Sequence, residues 1–269
     1  MKKNLFVAMM AVLAWTFAAC GSKDSGPKQL VLYYSQTGAT ETVAQELQKA
    51  LGADIEAIEL ENPYAGTYAE TIERVGKERQ EGVLPKLNPL KADLSKYEVI
   101  FLGYPIWYGT YAMPISSLVN EYDFEGKKIV TFCTFGSGGL EPAIQDLKKA
   151  LPKAEIADNG FGIRNARISA TAKELNRFLV ENSYIEGMVE AIPGYSEMRP
   201  VSEEEKQLFD AACGDYQFPL GTPVLVGKRG TSDGVDYVFE VESNGGTSTI
   251  YVTVGNEAGS KPEFTRVVR

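Results

Sequence analysis

Apolar and polar positions follow two different rhythms along this chain. Up to about residue 183, short continuous apolar runs alternate with longer stretches whose apolar residues recur at helical spacing. Leu30-Val31-Leu32 is one such run, and Val43, Ala44, Leu47 and Leu51 follow it on one face of a predicted helix. Val99-Ile100-Phe101-Leu102-Gly103 and Lys128-Ile129-Val130-Thr131-Phe132-Cys133 read as two further buried strands. Residues 54–60 alternate like a half-buried edge strand ended by Asn62-Pro63, and 156–161 supply a fifth strand. Helices are predicted from Tyr68 to about Arg79, and from Pro114, which suits the first helical position. Two more run from Glu141-Pro142 to Leu151 and from Thr171. There Thr171 and Glu174 have the spacing of a capping box, and Leu175, Phe178 and Leu179 point inward.

Strands alternating with helices imply right-handed crossovers and a parallel sheet, and continuous apolar strands imply a sheet covered on both faces. Ligands of such sheets bind beyond the carboxyl ends of the strands. The turns leaving the three apolar strands, 35–40, 105–109 and 134–139, therefore gather on one rim.

From about residue 184 the rhythm changes. Ile192-Pro193-Gly194-Tyr195 marks the break, and Ser202 with Glu205 forms a capping box before a helix carrying Leu208, Phe209 and Ala212. Strands are predicted at 223–227, around Val235, Tyr237, Phe239 and Val241, around Ile250, Val252 and Val254, and at 264–268. Hairpin turns are predicted at 227–234 and at Asn244-Gly245-Gly246. One helix and an antiparallel meander make a small α+β domain, 184–269.

The N-terminus belongs to neither unit. Lys2 and Lys3 precede an uncharged stretch of fifteen residues, Leu5 to Ala19, short for a membrane span and suited to a signal peptide. Phe17-Ala18-Ala19-Cys20 resembles the lipobox of bacterial lipoproteins. That resemblance implies cleavage of 1–19, acylation of Cys20, a polar tether over 20–27 and a place in the cell envelope facing periplasm or cell surface.

Composition narrows the chemistry. The 269 residues are 44% hydrophobic, enough for a core, and the net charge of −9 argues against nucleic acid as partner. No histidine is present, which removes Ser-His-Asp and Cys-His catalysis and any His-ligated metal. Three scattered cysteines make neither a disulfide framework nor a metal cage, and Cys133, inside an apolar strand, reads as packing. No catalytic side chain and no metal ligand is expected.

The three turns are complementary. Ser35, Gln36, Thr37, Gly38, Ala39 and Thr40 place hydroxyls and a glycine at a helix N-terminus, a cradle for a phosphate or simply a cap with polar neighbours. They hold no Lys or Arg and no Walker pattern, so a phosphate there is held by hydrogen bonds. Pro105, Ile106, Trp107 and Tyr108 present aromatics. Thr134, Gly136, Ser137 and Gly138 let backbone approach a flat ligand. A planar ring stacked on an aromatic and read along its edge by backbone suits isoalloxazine.

Together these residues resemble the three FMN loops of flavodoxin-like proteins, over residues 28–183. The resemblance implies a five-stranded parallel sheet of order 2-1-3-4-5 flanked by helices. It implies that Ser35, Thr37, Gly38, Ala39 and Thr40 bind the FMN phosphate. Trp107 would stack on the flavin, Pro105, Ile106 and Tyr108 would shape the pocket, and Thr134, Gly136, Ser137 and Gly138 would line its other side. An aromatic stack in an acidic surround disfavours anionic reduced flavin, so a low potential is expected. Thr37 to Thr42 also resembles sites where flavin transferases attach FMN to threonine, although Tyr34 stands where an aspartate is expected; noncovalent FMN is the expectation here.

Export sets the chain apart from cytoplasmic flavodoxins, because without a twin-arginine signal it crosses unfolded and meets FMN outside. The C-terminal part resembles a cystatin-like domain at Pro193-Gly194 and Val224-Leu225-Val226-Gly227. Three functions follow: an anchored FMN electron carrier with a protein or small-molecule redox partner; an FMN-dependent NAD(P)H:quinone-type reductase; or a protein-binding or protease-inhibitor module on a flavodoxin fold that has lost FMN.

Overall fold

The computed structural model describes residues 27–214, 216 and 218–269. The expected leader and Cys20 lie outside the described residues, with nearly all of the expected tether. No helix among the described residues is long and apolar enough to cross a membrane. Seven strands form the first sheet: β1 (Gln29–Tyr33), β2 (Asp54–Ala57), β3 (Val99–Trp107), β4 (Thr110–Tyr111), β5 (Lys128–Phe135), β6 (Glu155–Ile156) and β7 (Phe161–Arg164). Their order is β2-β1-β3-β5-β6, with β7 also on β5 and β4 folded back on β3. Every pairing except β3–β4 is parallel. With the hairpin strand β4 set aside and β6 and β7 taken as one interrupted strand, this is the predicted 2-1-3-4-5 order.

Five helices flank the sheet: α1 (Ala39–Leu51), α2 (Tyr68–Glu81), α3 (Met113–Glu121), α4 (Leu140–Ala150) and α5 (Thr171–Glu181). Val43 and Leu47 of α1 and Leu175 and Leu179 of α5 pack on Val31, Phe101 and Val130 of one sheet face. Ile115 and Leu118 of α3, Ile144 and Leu147 of α4 and Val75 of α2 pack on Leu32, Ile100, Leu102 and Ile129 of the other. Each fully buried Leu, Ile or Phe contributes about 1.5–3 kcal/mol, so the two clusters hold the strand ends, and the turns leaving them, in place.

Several predicted elements take a different form. The strand expected over 54–60 stops at Ala57, and Leu60 instead bridges Leu87 in antiparallel sense. The strand expected over 156–161 is broken, because the chain advances five residues between Ile156 and Phe161 while β5 advances three, from Ile129 to Phe132. The excess loops out before Gly160, whose added Cβ would lie 2.3 Å from the Thr131 hydroxyl. The capping box expected at Thr171 and Glu174 does not form. A 3₁₀ turn (Asn165–Ala170) runs straight into α5, so Thr171 donates its hydroxyl to the Ile168 carbonyl at 2.6 Å, and Glu174 accepts from Arg167 at 2.6 Å. A full box forms instead on Thr67 and Glu70 at the start of α2.

The second sheet contains β8 (Arg199–Pro200), β9 (Thr222–Thr231), β10 (Gly234–Ser243), β11 (Gly246–Gly255) and β12 (Glu263–Val268), antiparallel in the order β12-β11-β10-β9-β8. Helix α6 (Glu203–Cys213) lies on one face, burying Phe209 and Cys213 against Phe239, Ile250 and Val252. Ser202 and Glu205 form the predicted box at its start. The turn predicted at 227–234 is shorter than expected: Gly227 to Gly230 continue β9, and the chain reverses only at Ser232 and Asp233.

Candidate functional site

The first turn leaves β1 and opens α1 through Gly38, whose φ of 88° is left-handed and whose Cβ position faces open space. Ser35 Oγ accepts from the amides of Gly38 at 3.1 Å and Glu41 at 3.2 Å. The first-turn amides of a helix have no partners within it, so this end of α1 presents donors. Thr37 is exposed beside them. Thr40 is different: it is 1% exposed, and its hydroxyl meets that of Thr134, also 1% exposed, at 2.9 Å. This bond ties the first turn to the end of β5 and occupies the hydroxyl that covalent attachment of a flavin would need. Gln36 also serves the framework. It accepts from the Tyr34 hydroxyl at 2.5 Å and donates to the Tyr64 carbonyl at 2.9 Å.

The second turn is a two-residue hairpin. β3 continues through Pro105, Ile106 and Trp107, and Trp107 pairs with Thr110 across Tyr108 (φ 51°) and Gly109 (φ 79°). Two positive φ angles in succession suit a type I′ turn, which glycine adopts freely and tyrosine rarely. Tyr108 is held there by donating its hydroxyl to the Ile72 carbonyl at 3.1 Å, with the Arg79 guanidinium 5.0 Å above its ring. Its ring thus lies against α2, half exposed.

Trp107 is half-buried in a cluster, edge-on to Tyr34 at 5.8 Å and Tyr64 at 5.1 Å. Tyr64 donates its hydroxyl to Glu78, Arg74 pairs with Glu78 at 2.8 Å, and the Arg74 guanidinium lies 4.1 Å over the Tyr64 ring. Burial, with Glu78 adding to it, pushes the Tyr64 phenol up, so it stays protonated as a donor. The sequence reading missed Tyr64 as the prop behind Trp107; its only local signal was an aromatic directly after Asn62-Pro63.

The third turn is gripped from two sides. Gly139 (φ 116°) precedes α4, and a Cβ there would lie 2.7 Å from Ile106 Cγ2. On the far side stands β12. The Val267 amide donates to the Ser137 carbonyl at 2.8 Å, and a Cβ on Gly138 would lie 2.3 Å from the Val267 carbonyl oxygen. Arg164 donates to the Gly136 carbonyl at 2.7 Å and to the Phe264 carbonyl at 2.6 Å. Gly138 therefore has a structural reason to be glycine that no ligand need supply. Gly136 is exposed, with open space around its Cβ position. Cys133 is wholly buried, and burial pushes its thiol far up, which makes it packing.

The structure thus joins the first and third turns through Thr40 and Thr134, and the second and third through Ile106 and Gly139. Trp107 meets the first turn through Tyr34. Among the expected site residues, Gln36, Thr40, Tyr108 and Thr134 point into framework contacts.

Residues 28–181 match the family model described as flavodoxin. A crystal structure of a protein assigned as a flavoprotein from Bacteroides eggerthii is 26% identical with a TM-score of 0.50, covering 60% of this chain and 100% of that one. Another assigned so, from Bacteroides uniformis, is 24% identical with a TM-score of 0.50, covering 56% and 99%. A flavoprotein from Lactobacillus acidophilus, solved in complex with FMN, is 20% identical with a TM-score of 0.46, covering 56% and 99%. No curated protein matches the chain.

Proposed function

The chain belongs to the flavodoxin family, and from that premise we propose that it is an FMN-binding electron-transfer protein held to the bacterial cell envelope by a lipid on Cys20. One observation carries the flavin reading: the three turns meet on one rim, locked by the buried Thr40–Thr134 bond. The residues there fit FMN. Ser35 Oγ takes the amides of Gly38 and Glu41, which leaves the other first-turn amides of α1 with the hydroxyls of Ser35 and Thr37 as donors, and these suit a phosphate held by hydrogen bonds. Trp107, propped by Tyr34 and Tyr64, offers an aromatic surface. The backbone of Gly136 and Ser137 borders the same rim.

FMN bound on this rim supplies one- and two-electron chemistry. The chain's part is to orient the ring and set its surroundings. With a net charge of −9 it opposes added negative charge, which places the midpoint potential low. The buried Thr40 hydroxyl favours noncovalent binding. The partner is a redox protein or a small acceptor; NAD(P)H consumption by the purified protein without a partner would instead identify a reductase.

The test is an absorption spectrum of the chain after FMN is added, followed by denaturation and filtration. Trp107 is the only tryptophan after residue 19, so its fluorescence is a second readout. A flavin band with quenched Trp107, released on denaturation, is expected. No band and no quenching at saturating FMN would sink the proposal. Cys20→Ala is expected to move the protein from the membrane to the soluble fraction.

A further inference from the structure

Three oxidisable rings meet at the second turn. Trp107 stands edge-on to Tyr64 at 5.1 Å and to Tyr34 at 5.8 Å, and the two tyrosines are 6.5 Å apart. Trp107 is half-buried, whereas each tyrosine is only 5% exposed. Rings in such contact exchange an electron readily. A one-electron oxidant that reaches Trp107 therefore puts both phenols within one step of the electron vacancy.

The two phenols differ in what receives their proton. A phenol that loses an electron becomes a strong acid, so its oxidation is favourable only where the proton can leave too. Tyr34 donates to the side-chain carbonyl of Gln36 at 2.5 Å, and a neutral amide does not keep a proton. Tyr64 donates to the carboxylate of Glu78, which does. Arg74 sharpens the difference. Its guanidinium lies 4.1 Å over the Tyr64 ring and opposes positive charge there, so an electron leaves that ring only as the proton does. Protonation of Glu78 gives up its 2.8 Å ion pair with Arg74, which keeps its bond to the Pro63 carbonyl at 3.0 Å. Glu78 is 9% exposed and borders the open groove between α2 and the start of α3, through which its proton can exchange with water.

We propose that Tyr64, with Glu78 as its base, is a redox-active tyrosine that takes oxidising equivalents off Trp107. An oxidising radical first removes one electron from the Trp107 indole. An electron then passes from Tyr64 to the oxidised indole while the phenolic proton passes to Glu78. Trp107 is restored, and a neutral tyrosyl radical faces a neutral carboxylic acid. A soluble reductant such as ascorbate returns one electron, and Glu78 returns the proton. The pair thus protects the half-exposed indole from irreversible oxidation. The inference rests on the rings and Glu78 and stands without the flavin reading; with FMN on the rim, the photoexcited flavin is one such oxidant.

The test is pulse radiolysis with the azidyl radical, without FMN, on the full chain carrying Trp15→Phe, so that Trp107 is its one indole. The tryptophanyl band is expected to decay into a tyrosyl band at a rate independent of protein concentration and slowed in deuterium oxide. Tyr64→Phe is expected to abolish the growth of the tyrosyl band, and Tyr34→Phe to leave it. Glu78→Gln, which keeps an acceptor for the phenol but cannot take its proton, is expected to slow the transfer at least about tenfold. Melting curves check that the variants fold, and the deuterium effect reads the proton step without any of them. A tryptophanyl radical that persists overturns the proposal. So does a tyrosyl band that grows unchanged in Tyr64→Phe or Glu78→Gln, its loss in Tyr34→Phe, or a rate indifferent to deuterium oxide.

Discussion

Thr40 and Thr134 are 94 residues apart in sequence and share one buried hydrogen bond of 2.9 Å. Replacing either by valine keeps the shape but leaves the other hydroxyl buried without that partner. Thr40→Val or Thr134→Val should each cost about 1–2 kcal/mol in denaturant unfolding, while the double variant should cost less than the two together. Additive losses would show that the hydroxyls act separately. Tyr104 is the opposite case. Its ring is fully buried, and its hydroxyl makes no hydrogen bond of good geometry among the described residues, although the buried Thr131 hydroxyl is close by and equally unpaired. Tyr104→Phe removes a desolvated polar atom and little else, so a gain of about 1 kcal/mol and a raised Tm are expected. A lowered Tm would mean that the hydroxyl has a partner the protein groups do not provide.

Helix starts show what a short stretch of sequence does and does not determine. At Ser202 the box forms as its spacing implies, and Glu205 also takes the Arg199 guanidinium at 2.5 Å. Arg199 first, then the Ser202 amide and hydroxyl, hold the Glu205 carboxyl down at about 2, from an ordinary 4.5. A depressed folded pKa stabilises above the unfolded value, and that contribution is lost as pH falls from about 4.5 through about 2. Glu205→Gln should flatten the acid limb of the stability curve across this window; an unchanged limb would discount the pair. At Thr171 the same spacing produced no box, because the preceding 3₁₀ turn claims the hydroxyl and Arg167 claims Glu174. Local spacing is decisive only where no neighbour competes for the same atoms. The apolar strands were legible for a related reason: β1, β3 and β5 are buried on both faces, and their runs say so directly. The extension of β3 to Trp107 was not, since Pro105-Ile106-Trp107-Tyr108 carries the same residues whether it forms a loop or a hairpin.

Across the whole molecule, the contact that sequence could not reveal is the one between β12 and the third turn. Gly136, Gly138 and Gly139 looked like room for a ligand, and two of the three are small for other reasons, with Val267 behind one and Ile106 beside another. Nothing near Gly138 in sequence announces a partner at Val267. Gly138→Ala, at a residue whose φ is not left-handed, tests what that contact does. The added methyl should push β12 away, lower the Tm and weaken FMN binding several-fold through a loosened third turn. Lower stability with unchanged FMN affinity would separate the second sheet from the flavin rim.

The bond from Val267 to Ser137 also sets an order of assembly. The first two turns are complete once the chain is made as far as β5, whose Thr134 meets Thr40, and the parallel sheet closes with β7. The third turn must wait for a strand 130 residues further on, after every hairpin of the second sheet has formed to position it. Closing so long a loop is slow relative to the local contacts that precede it. During folding there is thus an interval in which a cofactor could enter beside an unfastened turn, and it ends when β12 docks. Exchange of a bound cofactor afterwards should follow the opening of that strand rather than the unfolding of the parallel sheet.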